Sequence, residues 1–279
     1  MANERYAMII GAMKAGTTSL FGMLSQHPQI VPSKVKEPQF FMHDHNGDLH
    51  NQPTFASYRE LWPQTITIKD PILLEASTGY TKLPSKPGVA QRIFEAGLRP
   101  KFIYCVRNPI DRIESQYNFS MGFKWFEPSE PISAAKYFSY SMYFTQLSPY
   151  IRLFGADSIQ IVDFDAIQSN PYDTCQELAR FLNVSGDFSD ITTTAGNVTP
   201  PITKREKIVY ESPILASTYW RLPHGLRNTI RNEILRRSSM ASRTVLTAEQ
   251  RKSVREVLSD DIRNFGEVFD FPIEKWGFE

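Results

Sequence analysis

Two short runs hold the residues whose types and spacing suit anion chemistry. The first is Gly11-Ala12-Met13-Lys14-Ala15-Gly16-Thr17-Thr18-Ser19. A glycine-rich turn between a strand and a helix aims backbone N–H groups and the positive helix end at an anion. Gly16 allows close backbone approach, Thr17 and Thr18 offer hydroxyls, and Lys14 offers a point charge near a bridging oxygen. The nucleoside-triphosphate loop has the pattern GxxxxGK[ST]. Gly11 and Gly16 fit it, but Thr17 takes the lysine position and the lysine stands at 14. That displacement points to a ligand with a different charge distribution, and no strand-end aspartate for Mg²⁺ stands out. The competing reading is an ordinary glycine-containing turn without a ligand.

The second run is Val106-Arg107-Asn108-Pro109, with Ser115 eight residues past Arg107. An arginine at the carboxyl end of a buried strand sits where open α/β sheets bind ligands, and its planar fork suits a pair of phosphate oxygens. Ser115 falls about two helical turns further on, so one phosphate touches both only if the loop bends back. Otherwise Arg107 caps a helix or pairs with an acid, and Ser115 is a solvated hydroxyl.

These runs need elements to position them. YAMIIGA reads as a short buried strand, and TTSLFGMLSQHP from Thr17 as a helix ended by Pro28. Residues 29–50 show no period and read as a long functional loop. Ile72–Ala76 and Lys101–Val106 are further strands, Gly88–Gly97 and the run after Pro109 are helices, and Ser158–Val162 and Pro171–Leu182 continue the alternation. Such alternation implies βαβ units, hence an α/β fold with a P-loop-like, mostly parallel sheet flanked by helices on both faces. Thr247-Ala-Glu-Gln250 fits a capping box opening a helix to about Phe265. No repeat or linker interrupts residues 1–279, which read as a single domain.

Composition narrows the partners. The chain has 279 residues, 41% hydrophobic, 13% aromatic and 22% charged, with formal net charge +1. No global field recruits nucleic acid or an anionic membrane, so an anionic ligand must be held locally. No apolar run reaches the ~20 residues of a membrane span. Cys105 and Cys175, both in apolar contexts, read as reduced core thiols. The N-terminus runs into the first strand without a signal-peptide layout, so a cytoplasmic enzyme is expected.

GAMKAGTTSL, YCVRNPIDRIESQY and KEPQFF together resemble the PAPS-dependent sulfotransferases (PAPS is 3'-phosphoadenosine 5'-phosphosulfate), nearest the carbohydrate or heparan-type branch and its bacterial relatives. LSQHPQI, FGADSIQIV with DFDAI, ELARFLNV and EKWGF extend the likeness over most of residues 5–185 and a little of the C-terminus. The resemblance implies that Lys14, Ala15, Gly16, Thr17, Thr18 and Ser19 bind the 5'-phosphosulfate and that Arg107 and Ser115 bind the 3'-phosphate. It also implies that Glu37 is the general base, with His43 and His45 as rivals because the cytosolic small-molecule branch uses histidine. His27 matches a packing residue. Lys204 and Arg205 fall where the family has a basic loop over the donor. Where heparan-type enzymes carry a lysine after the strand acid, this chain has Ala76, which weakens a glycosaminoglycan assignment; Glu75 and Tyr80 remain acceptor-site or structural groups. No metal site is expected.

The basic segment 221–237 reads as an anionic acceptor surface or a solvated face with Leu, Ile and Trp220 packed beneath, and the aromatic stretch 119–144 as an acceptor lid or core. The expected activity moves a sulfuryl group from PAPS to a hydroxyl of a small-molecule, carrier-bound or glycan acceptor, natural-product biosynthesis included, and releases PAP (adenosine 3',5'-bisphosphate). The alternatives are a P-loop kinase, which needs a lysine before the threonine pair, and a PAP-binding module without catalysis.

Overall fold

A computed structural model describes residues 4–42, 55–123, 131–185, 188, 191–192 and 202–279. In chain order its elements are β1 (Arg5–Gly11), α1 (Thr17–Leu24), β2 (Ile30–Pro32), α2 (Phe55–Arg59), β3 (Ile72–Ala76), α3 (Val89–Glu95), β4 (Lys101–Val106), α4 (Pro109–Phe123), α5 (Ala135–Ser139) and α6 (Tyr143–Phe154). There follow β5 (Ile159–Asp163), α7 (Phe164–Ser169), α8 (Pro171–Leu182), α9 (Lys204–Glu211), α10 (Pro213–Arg221), α11 (His224–Ile230) and α12 (Ala248–Phe269). They group into two compact units.

The first unit comprises Met1–Pro109, Ser139–Asn197 and Leu258–Glu279. Its five strands form one parallel sheet in the order β2-β3-β1-β4-β5. The fold is therefore the α/β class expected, and β3 is buried along its whole length, as parallel strands covered on both faces are. After β1 the chain runs toward β2, while after β4 it runs toward β5, so the topological switch point lies between β1 and β4. Right-handed crossovers place α1 on one face and α3 and α6 on the other. Phe102 of β4 packs on Tyr150 and Phe154 of α6 at 5.1 and 4.9 Å, and Phe94 of α3 meets Phe154 at 5.7 Å. Asp261 of α12 caps α6, accepting from the amides of Phe144 (3.0 Å) and Thr145 (2.8 Å).

One expectation needs correction. The stretch read as a long loop contains β2, whose Ile30 lies opposite Ile72 of β3. Three residues are too few for periodicity to reveal, and the strand exists through its pairing.

The second unit comprises Ile110–Phe138 and Val198–Val257. Tyr210, Tyr219 and Leu235 form its core, with Val209, Trp220, Leu222 and Ile230 packed around them. The basic segment therefore has apolar side chains turned inward beneath it. Fully buried Arg112 donates to Gln116 Oε1 and the Tyr137 carbonyl, both at 2.7 Å. Thr203 and Glu206 form a capping box at the start of α9, and Arg231 pairs with the buried Glu206 at 2.7 Å.

Candidate active site

The loop leaving β1 enters α1 through Gly16, whose φ of 85° and ψ of 7° lie in the left-handed region that glycine tolerates. No side chain caps α1, and the first-turn amides of any helix lack intrahelical acceptors. Ala12 donates its amide to the Cys105 carbonyl at 2.8 Å, tying the loop to the neighbouring end of β4. Lys14, also at positive φ (70°), is half-buried, as are Thr18 and Ser19; Ala15 and Thr17 are buried.

Arg107 follows β4 directly, on the other side of the switch point. Its backbone is clamped by one buried side chain: the Arg107 amide donates to the Tyr143 hydroxyl (3.3 Å), which donates to the Arg107 carbonyl (2.5 Å). The guanidinium lies over the Phe164 ring, 4.6 Å from its centroid. Phe164 also fills the space beside Gly16, where an added Cβ would stand 2.9 Å from Phe164 Cδ2 and 3.2 Å from Ile167 Cδ1. One aromatic ring at the end of β5 thus supports both the loop and Arg107. Behind it Lys275 pairs with Asp163 at 2.5 Å, and buried Trp276 packs on Tyr143 at 5.9 Å.

Glu37 lies at the other side of the loop, stitched to the end of β3. Its amide donates to the Ala76 carbonyl (2.7 Å), and its carboxylate accepts from the Thr78 amide (2.9 Å) and hydroxyl (3.2 Å). Glu37 and Gln39 both take positive φ, 60° and 53°, so the chain turns sharply around Pro38. Gln39 donates its amide to Ser77 Oγ (3.0 Å), and the Ser77 amide donates to the Ile9 carbonyl of β1 (2.9 Å). Lys36 holds the Glu37 carboxylate at 2.7 Å. Burial pushes the Cys105 thiol up, while the Lys36 charge acts against that rise. Phe41 packs on Tyr58 and Tyr80 at 4.9 and 6.0 Å, fixing the chain beyond Glu37.

Beneath Glu37 sits Glu75, fully buried, with neither carboxyl oxygen within hydrogen-bonding geometry of a partner. Burial, and secondarily the Glu37 charge, pushes its carboxyl up to about 8, against a lowering influence of the Tyr80 hydroxyl that faces it. Burial thus favours the protonated form of Glu75.

The other expected residues fall elsewhere. Ser115 is half-buried on α4, and Lys204 and Arg205 are exposed in the first turn of α9, all three in the second unit. Arg205 there donates to the Ile234 carbonyl at 3.1 Å. His43 and His45 lie outside the described residues. His27 is buried, accepting from the Gln29 amide (3.2 Å) and packed on Phe188 at 4.9 Å, a structural role. Phe164 lies in the DFDAI run and Tyr143 in the aromatic stretch 119–144, but the sequence assigned neither of them, nor Thr78, a role at the site, because each acts through a partner distant in the chain. Lys36 stands beside Glu37 in the KEPQFF run, and its ion pair with that carboxylate emerges only in the structure. Among the described residues no three His, Cys, Asp or Glu side chains gather as a metal site.

Comparison with known proteins defines the class. The sulfotransferase domain model matches residues 4–199, and the chain belongs to that family. A membrane-associated sulfotransferase of Dictyostelium discoideum, kil1, is 34% identical over 115 residues, covering 41% of this chain and 22% of that protein. Mouse heparan sulfate glucosamine 3-O-sulfotransferase 5 is 28% identical over 193 residues, 64% of this chain and 53% of that one. The chain therefore spans between about a fifth and about half of the length of these curated relatives. A crystal structure of a sulfotransferase from Alicyclobacillus acidocaldarius shares the fold with a TM-score of 0.66, 20% identity and 99% coverage of both chains. Among the described residues no helix is long and apolar enough to cross a membrane.

Proposed function

We propose that this chain transfers a sulfuryl group from PAPS to a hydroxyl acceptor and releases PAP. The observation that carries the reading is the shared Phe164 support: the anion loop and Arg107 meet on one ring at the switch point. The 5'-phosphosulfate takes the α1 amides with Lys14, Thr17 and Thr18, and the 3'-phosphate takes Arg107. Donor roles for Ser115, Lys204 and Arg205 rest on family resemblance alone.

The acceptor oxygen attacks sulfur in line while the bond from sulfur to the phosphate oxygen of PAP breaks. Glu37 receives the acceptor proton, and Lys14 balances the charge growing on the leaving oxygen. By analogy with phosphoryl transfer, positioning and charge stabilisation supply most of the acceleration. Thr78 and Lys36 hold one face of the Glu37 carboxylate and fix its direction.

The acceptor class is a small-molecule, carrier-bound or glycan hydroxyl. Ala76 argues against acceptors that need the heparan-type lysine. Two buried free thiols, Cys105 and Cys175, support a reducing compartment such as the cytoplasm. The test is transfer of ³⁵S from labelled PAPS to a panel of phenols, alkyl alcohols, glycosides and carrier-bound hydroxyacyl groups. Label should move in the parent and fall by about 10²–10⁴ in Glu37→Gln. Bound PAP with no transfer to any acceptor would favour the non-catalytic module.

A further inference from the structure

The turn that carries Glu37 is strained. Glu37 and Gln39 both stand in the left-handed region, at φ 60° and 53°, and non-glycine residues persist there only where their surroundings over-determine them. Three of the holds come from the end of β3 and the turn after it. The Ala76 carbonyl takes the Glu37 amide, Ser77 Oγ the Gln39 amide, and the Tyr80 hydroxyl the Phe41 amide at 3.3 Å. A fourth comes from another element. Arg92, half-buried on α3, donates from Nε to the Phe41 carbonyl at 2.7 Å, so both backbone polar groups of Phe41 are engaged.

The Arg92 guanidinium is itself fixed. Its Nη2 donates to the Pro87 carbonyl at 3.0 Å, so one planar fork bridges the entry to α3 and the end of the Glu37 segment. Gly88, left-handed at φ 77°, leaves room for it, since an added Cβ there would stand 2.7 Å from Arg92 Nη1. One residue past Phe41, Met42 fills the space that Gly79 leaves, where an added Cβ would stand 1.9 Å from Met42 Sδ. The end of the segment is thus pinned by a cation and a thioether, each beside a glycine that clears its place. We propose that Arg92 is a positioning residue for sulfuryl transfer: its hold on the Phe41 carbonyl keeps the strained 37–41 turn wound and the Glu37 carboxylate aimed. The inference rests on the reading of Glu37 as base. Without that hold the left-handed residues relax toward ordinary conformations and the carboxylate shifts on Thr78. A misplacement of about 1 Å at a reacting group costs up to about 10²-fold in rate.

The test is a double-mutant cycle read by kcat in the ³⁵S assay, with PAP affinity measured by calorimetry beside it. Arg92→Met keeps the aliphatic stem and removes every donor. It should lower kcat about tenfold in the parent and not at all in Glu37→Gln, where the base is already gone, while PAP binds as before. Equal falls in both backgrounds, or a parallel loss of PAP affinity, would make Arg92 a general structural support and overturn the proposal. Amide hydrogen exchange needs neither donor nor acceptor. Protection at Phe41 and at Thr78, whose amide donates to the Glu37 carboxylate, should drop about tenfold in Arg92→Met and hold along β4. Unchanged protection at both amides overturns the proposal. Should Arg92→Met fail to fold, Arg92→Lys, which keeps the charge and loses the fork, takes its place with the same outcomes. Full transfer by Glu37→Gln would sink the base reading, and the catalytic role of Arg92 with it. Impaired transfer by Glu37→Gln with unchanged Thr78 protection in Arg92→Met would sink the positioning alone.

Discussion

Gly16→Ala tests whether the two halves of the donor site share one support. The backbone at Gly16 is left-handed, which costs a non-glycine residue about 1–2 kcal/mol. The new Cβ would also stand 2.9 Å from Phe164 Cδ2, closer than side-chain carbons settle, and Ile167 at 3.2 Å blocks an easy retreat. Overpacking of this kind costs about 1–3 kcal/mol, offset by up to about 1 kcal/mol from the stiffer unfolded chain. The expected net loss is about 2–3 kcal/mol, read by urea unfolding. Phe164 cannot yield without leaving the Arg107 guanidinium, a contact worth about 0.5–2 kcal/mol. PAP affinity by calorimetry should therefore fall by more than the loop alone explains. Adding Phe164→Leu should recover much of the stability but little of the affinity. Unchanged stability and PAP affinity in Gly16→Ala would refute the shared-support reasoning.

Arg107→Lys keeps the charge but loses the planar fork, so PAP should bind about 10–100-fold more weakly by calorimetry, with stability nearly unchanged. Thr78→Val removes one hydroxyl from the Glu37 carboxylate; kcat in the ³⁵S assay should drop about 3–10-fold while PAP affinity holds. Glu75→Gln should change how stability depends on pH. The folded carboxyl titrates near 8, above the ordinary 4.5, so the folded state keeps a proton that the unfolded chain has already released. That contribution is fully present below about pH 4.5 and is lost progressively as pH rises to about 8, some 4–5 kcal/mol in all. Urea unfolding at pH 5 and pH 8 should show the loss in the parent and its absence in the variant.

What was legible in the chain was local. β3 and β4 emerged at their observed bounds because each is a short apolar run closed by turn residues: Ser77-Thr78-Gly79 after one, Pro100 and Asn108-Pro109 around the other. The anion loop and Arg107 were readable because both directly follow such strands. β2 was not, since three residues have no period and the strand exists only through its register with β3. Phe164 stayed hidden for a related reason: strand order brings its ring under Arg107, 57 positions earlier, and no local pattern encodes that meeting. Glu37 was assigned by resemblance, yet what fixes its carboxylate is Thr78, 41 positions away. Glu75 read as an acceptor-site or structural group, and its complete burial shows only in the fold.

The most direct test is calorimetric titration of PAP into the purified protein without Mg²⁺, beside Arg107→Ala and a parallel ATP titration. Tight PAP binding that is lost in Arg107→Ala and not matched by ATP is the expected result. No PAP binding, or Mg²⁺-dependent ATP binding in its place, would contradict the donor assignment and return a kinase to the front.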